Sequence, residues 1–519
     1  MATPYNISTT RPLKGLRSSV SRHALEDGEF GTLENFNTNR GGYLEKRRGI
    51  WRANNDHPGT AGEKLTLMAI VRYINAGAHL PYAFAYDNND LFKTTGGTVI
   101  SPTWAVVPGV TGQFEWGFEW GWVGAPYHLQ MCRRNGQTIA VVASTNAVNA
   151  GGGPAGTFCL PYRNRMWVLN TADPVVGQEN RLYWSMAGAF NVWVAPNGGF
   201  VDIQPGDGQM LVSAIVYNDT LWIFKNRSIW TMSVEDDPND AQLRLIHASI
   251  GCVSRGSPQL VEGFLYFHSE EGVYRTDGTT FEEVSEPIRD KFVTADVTDR
   301  ENMIQGEAVY WDNKYILNPG KALTPTNPTI YVFDVVSETW TTWRALLGNT
   351  SIRGMKPYTE ANKDYLCMGS GYNNAGASSG LYYLTNAEDA WYRDDTAGST
   401  GGADVNSYSS TAKLGVSDQD QPGYYKRNHY NALDVEGSAA ENIQCVDFDR
   451  TPVASNTVRL PDTKRRFVAF PGAGKYRAKG IDITATTQTG ETPGPLKIYS
   501  AISADAVREP AHRLSGNAS

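Results

Sequence analysis

The stretch "LYFHSEEGVYRTDGTTF", Leu265 to Phe281, decides how this chain is read. It runs as an apolar strand, a Glu-Glu-Gly turn, a second strand, and an Asp-Gly turn closed by an aromatic. Leu265, Phe267, Val273 and Phe281 stand where a strand presents side chains to a packed face. Glu270-Glu271-Gly272 and Asp277-Gly278 carry the residue types that turns demand. The same stretch holds His268, two adjacent glutamates and an aspartate, the raw material of an acid/base site. The sheet reading is preferred: His268, Glu270 and Glu271 are expected as solvated residues at an ordinary turn.

The same grammar repeats on either side. "HLQMCRRNGQTIAVVAS" places Asn135-Gly136 between two apolar runs, a strong hairpin signal. "LVSAIVYNDTLWIFKNRSIWTMSV" pairs strands across Asn218-Asp219 and turns again at Lys225-Asn226-Arg227. "AVYWDNKYILN" does the same across Asp312-Asn313, followed by "TIYVFDVVSETWTTW". The units have diverged and fix no single period. Meander units repeated in this way predict blades of a β-propeller, in which each small sheet covers both faces against its neighbours.

The composition agrees. Aromatics make up 11% of the 519 residues and glycine occurs 52 times, whereas charged residues are only 19%. Flat side chains pack on pleated surfaces and glycine supplies turn geometry. A net charge of -8 argues against a protein that coats nucleic acid. Cys132, Cys159, Cys252, Cys367 and Cys445 are odd in number and lack C-x-x-C spacing, so reduced thiols are expected. Charges at Arg11, Lys14, Arg17 and Arg22 leave no apolar signal core, and no run reaches the length of a membrane helix.

The expected fold class is therefore mainly β. An extended N-terminal arm (residues 1–55) lies across another surface, and a β-propeller-like domain covers 56–395. The Gly/Ser-rich stretch 396–410 reads as a linker or loop. Residues 411–519, with "HYNALDVEG", "NIQCVDFDRT" and "RRFVAFPG", read as a C-terminal β-sandwich and tail.

The search for chemistry returns little. There is no H-E-x-x-H and no G-x-S-x-G elbow, and "GAGKY" has Tyr476 where a phosphate loop needs Ser or Thr. "EDDPND" (Glu235–Asp240) and "DQDQPG" (Asp418–Gly423) gather oxygens without the spacing of a calcium loop. "TDGTTF" (Thr276–Phe281) resembles the Asp-box of sialidase-type propellers, but out of register. "IYVFDVVSETWTTW" (Ile330–Trp343) resembles a kelch blade without its paired glycines. Neither supplies an active site. No catalytic, cofactor-binding or metal-binding residue is assigned, and the chain is expected not to be an enzyme.

Two segments carry a more specific resemblance. "LEDGEFGTLENFNTNRGGYLEKRRGI" (Leu25–Ile50) and "IGCVSRGSPQLVEGFLYFHSEEGVYRTDG" (Ile250–Gly278), with "VSEPIRDKF" after it, resemble structural proteins of tailed-bacteriophage tails. They are similar to the nozzle, or tail tubular protein B, class of short-tailed phages. Ser269, Gly272, Val273, Tyr274, Asp277 and Gly278 fit the later segment. The earlier one ends on Lys46-Arg47-Arg48-Gly49, where that class has an Arg-Pro-Gly-like end. The resemblance implies a virion component assembled in the host cytoplasm. It implies a homohexameric ring through which DNA leaves the capsid, touching portal-proximal adaptor proteins above and tail fibres or a needle below.

The mild acidity suits a conduit, because each phosphate neutralised by Lys or Arg would add salt-sensitive friction. An alternative is a glycan-binding or glycan-cleaving propeller for host attachment. There "FEWGFEWGWVG" (Phe114–Gly124) would stack on sugar rings and not only pack between blades. A cellular propeller scaffold is a third reading, disfavoured by the tail-like segments.

Overall fold

The computed structural model describes residues 6–510 apart from short stretches between elements, the longer of them 54–64, 143–147, 170–178, 294–302, 321–328, 345–351, 371–379, 386–393, 396–404, 418–423 and 488–495. The protein is mainly β, built largely from small antiparallel sheets.

The opening stretch forms strands Phe264–His268 and Val273–Thr276, joined antiparallel with Phe267 opposite Tyr274. Together with Gln259–Val261 and Phe281–Glu283 they make one four-stranded sheet. Leu265 and Phe267 are fully buried in a core against which Phe281 packs, as expected, whereas Val273 is fully buried in a different core, with Tyr266.

Six other four-strand units have the same plan, the sixth as one end of a ten-stranded sheet and the seventh as one end of a six-stranded one. The first runs outward from Thr66–Asn75, the second from Phe114–Trp122, the third from Phe158–Tyr162 and the fourth from Leu211–Tyr217. The unit just described is the fifth. The sixth starts at Glu307–Trp311 and the seventh at Ile352–Glu360. The leading strand of the first sheet packs against those of the second and the seventh. Leading strands also meet between the second and third, third and fourth, fifth and sixth, and sixth and seventh sheets. The fourth and fifth share a core in which Trp222 and Phe224 lie with Leu265 and Phe267. The seven sheets thus follow one another in a closed cycle.

Packing on both faces explains the composition of the strands. Ile330–Asp334 and Thr339–Trp343 in the sixth sheet are buried at every residue; the first is a nearly continuous apolar run, and in the second the buried threonine hydroxyls are hydrogen-bonded, Thr341 to Phe36 O and Thr342 to Leu33 O. Tight turns join the first two strands of successive sheets. Asn218-Asp219 takes φ of 48° and 58°, and Asp312-Asn313 takes 51° and 58°. Two positive φ values match the twist of a two-residue hairpin, and Asn and Asp tolerate them better than most residues. For Asn135-Gly136, the flanking strands Ala125–Arg133 and Gly136–Val142 pair as expected, while residues 134–135 lie outside the described residues. The turn expected at Lys225 begins one residue later, because Lys225 ends strand Thr220–Lys225 and is fully buried.

The N-terminal stretch, expected as an arm across another surface, supplies strands to three sheets. Trp51–Arg52 pairs antiparallel with Leu381–Thr385 and becomes the fourth strand of the seventh sheet. Glu29–Glu34 lies between the last strand of the sixth sheet and Ser410–Ser417, extending that sheet to ten strands. Phe36–Asn39 and Tyr43–Lys46 form a hairpin in a six-stranded sheet with Leu496–Pro510, Tyr424–Gly437 and Arg466–Tyr476. The ten- and six-stranded sheets share one core, in which Leu33 and Ile483 meet Phe36, Leu433 and Ile498. Of the expected linker 396–410, residues 396–404 and 407–409 lie outside the described residues; Val405–Asn406 pairs with Asp394–Asp395.

Candidate functional site

The junction between the cycle of sheets and the paired larger sheets turns on Asn35. Glu34 ends a strand of the ten-stranded sheet and Phe36 begins one of the six-stranded sheet, so the chain changes sheet across a single residue. Asn35 takes φ of 58°, a conformation open to Asn because its side chain makes local hydrogen bonds. Its Oδ1 accepts from Arg47 Nε and from the backbone N–H of Arg344, both at 2.9 Å. Its backbone N–H donates to Thr342 O at 2.7 Å, and its carbonyl accepts from Arg47 N at 3.0 Å and Ser410 Oγ at 3.1 Å. Arg47 is fully buried and also donates to the carbonyls of Arg48 and Arg344. A buried guanidinium survives where its fixed fork meets several oxygens.

Beside this corner lies a cavity of about 320 Å³. One wall is the Phe36–Lys46 hairpin; the other is the turn of Asp312 and Asn313, with Asp334 and Val336 beyond. Trp311 and Trp343 form its apolar walls. Trp343 Nε1 donates to Asn37 Oδ1 at 2.8 Å. The Trp311 indole N–H is buried and finds no acceptor among the described residues. A buried donor left unmet costs about 1–3 kcal/mol. The charges around the cavity balance: Glu45, Asp312 and Asp334 face Lys46, Arg48 and Lys314. Lys314 Nζ holds Asp312 at 2.8 Å, and Arg48 approaches Glu45 at 4.0 Å. Asp334 Oδ1 accepts the N–H groups of Val336 at 3.0 Å and Ser337 at 2.9 Å.

The groups singled out from the opening stretch have other roles. His268, expected at a solvated turn, is instead fully buried at a strand end. Its Nδ1 shares a 2.6 Å hydrogen bond with Ser254 Oγ, and its ring meets Phe292 edge-on at 5.3 Å. Ser254 and His268 sit as a nucleophile and base would, but both are sealed from solvent. Nearby Cys252 donates to Ser254 O, and burial pushes its thiol up to about 12, so it carries no thiolate at neutral pH. Sequence reasoning missed this cluster because Ser254 and His268 are brought together only by folding.

Glu271 is exposed, and Glu270 pairs with Arg227 at 3.2 Å, as a turn carboxylate does. Asp277 Oδ1 accepts the N–H groups of Thr279 and Thr280, both at 2.8 Å, and their hydroxyls. Those bonds hold its carboxyl well below the usual carboxylate range.

Asp237 caps the short helix Pro238–Asp240 through Asn239 N, and Asp418–Gly423 lies outside the described residues. "GAGKY" runs within strand Arg466–Tyr476, where no loop is available to cradle phosphate. Cys132, Cys159, Cys252 and Cys367 are buried thiols outside any disulfide; Cys445 lies on strand Glu441–Asp449. The strand Phe114–Trp122 pairs with Ala125–Arg133, but its aromatic side chains lie outside the described residues. Among the described residues no group of three His, Cys, Asp or Glu gathers as a metal site. Among the described residues no helix is long and apolar enough to cross a membrane.

No family model matches the chain, and no curated protein matches it. Two solved structures are similar over part of it. One is PorZ, a bacterial surface component of the type-IX secretion system of Porphyromonas gingivalis, at 14% identity and a TM-score of 0.36. That match covers 63% of this chain but only 38% of PorZ. The other is a chain of the mitotic checkpoint complex, at 10% identity and a TM-score of 0.37, covering 67% of this chain and 93% of that one. Neither resemblance is strong enough to carry an argument about fold or function.

Proposed function

We propose that this chain is a non-enzymatic structural subunit of a phage tail, a ring-forming nozzle through which DNA passes. In this reading the seven four-strand units are blades of a β-propeller, and the remainder of the ten-stranded sheet forms a β-sandwich with the six-stranded sheet beside it. The observation that carries the proposal is the N-terminal segment of Leu25–Ile50. This is the segment that resembles the nozzle class, and its strands run through both parts of the fold and fasten them at Asn35.

A subunit that must keep a channel open under the pressure of passing DNA gains from such fastening, since closed sheets leave few edges to fray. The buried Ser254–His268 pair and the raised Cys252 thiol favour a scaffold over a hydrolase. The net charge of -8 favours passage of DNA without capture. Its partners in this reading are its own copies, adaptor proteins on the portal side, and fibres or a needle on the other.

Negative-stain electron microscopy of the purified chain tests the proposal. Rings with an opening wider than the roughly 20 Å of a DNA duplex are expected. Single particles the size of one chain at micromolar protein would contradict it.

A further inference from the structure

We propose that the cavity between the Phe36–Lys46 hairpin and the Asp312-Asn313 turn is a binding cleft for a neutral sugar unit. This goes beyond the scaffold reading and does not depend on it, because sugar binding is measured on the chain whether or not rings form.

Three observations converge. The first is size and position. About 320 Å³ lies at the small end of the range for ligand pockets, room for one or two sugar rings, and clefts between structural units are where such sites concentrate. The second is the wall chemistry. Trp311 and Trp343 offer flat apolar surface of the kind that packs on the C–H face of a sugar, while acids and cations alternate around them. A hydroxyl both donates and accepts, so it can serve Glu45 and Lys314 alike. An ion would meet equal numbers of opposite and like charges, several of them already engaged with each other. The third is the Trp311 indole N–H, a buried donor bordering the cavity with no acceptor among the described residues. A small inward shift of a ring bearing hydroxyl oxygens would supply that acceptor.

Saturation-transfer NMR on the full chain tests this, using glucose, galactose, N-acetylglucosamine and maltose, with glucuronate and inorganic phosphate as charged probes. At least one neutral sugar is expected to bind. Trp311→Phe, which keeps a ring and removes the N–H, is expected to weaken that binding about 5-fold or more, about 1 kcal/mol. Glu45→Gln changes the opposite wall with little change of shape and is expected to weaken it about 3-fold; it decides the matter should the tryptophan variant fail to fold. Absence of transfer to every neutral sugar at 10 mM would overturn the proposal. Binding equal in wild type and Glu45→Gln, or tighter binding of glucuronate or phosphate than of any neutral sugar, would overturn it too.

Discussion

Asn35 shows how much of the junction rests on one side chain: it sets a left-handed corner and offers one oxygen to two donors. Asn35→Gly keeps the corner and loses the oxygen, while Asn35→Ala loses both. The expected cost is about 1–2 kcal/mol for glycine and about 1 kcal/mol more for alanine, read as urea midpoints. Equal costs would show that the backbone conformation is immaterial.

Buried phenols and thiols set the alkaline limit, Tyr331 and Cys252 among them. Burial pushes the Tyr331 phenol up to about 12 from an ordinary 10, and the Cys252 thiol up to about 12 from an ordinary 9. The folded chain therefore keeps protons that the unfolded chain releases. Their contribution is complete below about pH 9 and is lost as pH rises through 12. Tyr331→Phe should flatten the fall in stability between pH 10 and 12 by about 2 kcal/mol. An unchanged slope would show that Tyr331 is not the titrating group.

At the scale of elements, the hairpins were legible because their signals are local: an Asn-Asp or Asp-Asn pair between alternating aromatics folds against its immediate neighbours. The N-terminal strands were not legible. Glu34 stands opposite Thr342, and Tyr382 opposite Arg52, so their partners lie some 300 residues away. Lys46 and Arg47 carry charges that sequence alone would leave in water, yet folding buries both. His268 was misplaced for a related reason: it stands next to a turn but points into the space closed by Phe292. The cavity left no sequence signal, because its walls come from residues 37–48, from 311–343 and from Leu384, which meet only on folding.

These pairings make the first 55 residues part of the fold. Removing them takes an inner strand from the seventh sheet, between Leu381–Thr385 and Asp394–Asp395, and another from the ten-stranded sheet. The truncated chain is expected to be insoluble, or to melt at least about 10 °C lower. A truncation that melts like the full chain would mean that these strands are dispensable.

For the whole molecule, seven four-strand units follow one another in a closed cycle, and the sixth continues into the ten-stranded sheet that shares a core with a six-stranded one, a close-packed arrangement that resists deformation. Rigidity of this kind serves an assembled channel better than a catalyst that must open and close. Native mass spectrometry of the 57.0 kDa chain tests the ring directly. The account predicts a closed oligomer of six subunits at micromolar concentration. A spectrum of monomer alone, unchanged as concentration rises tenfold, would contradict it.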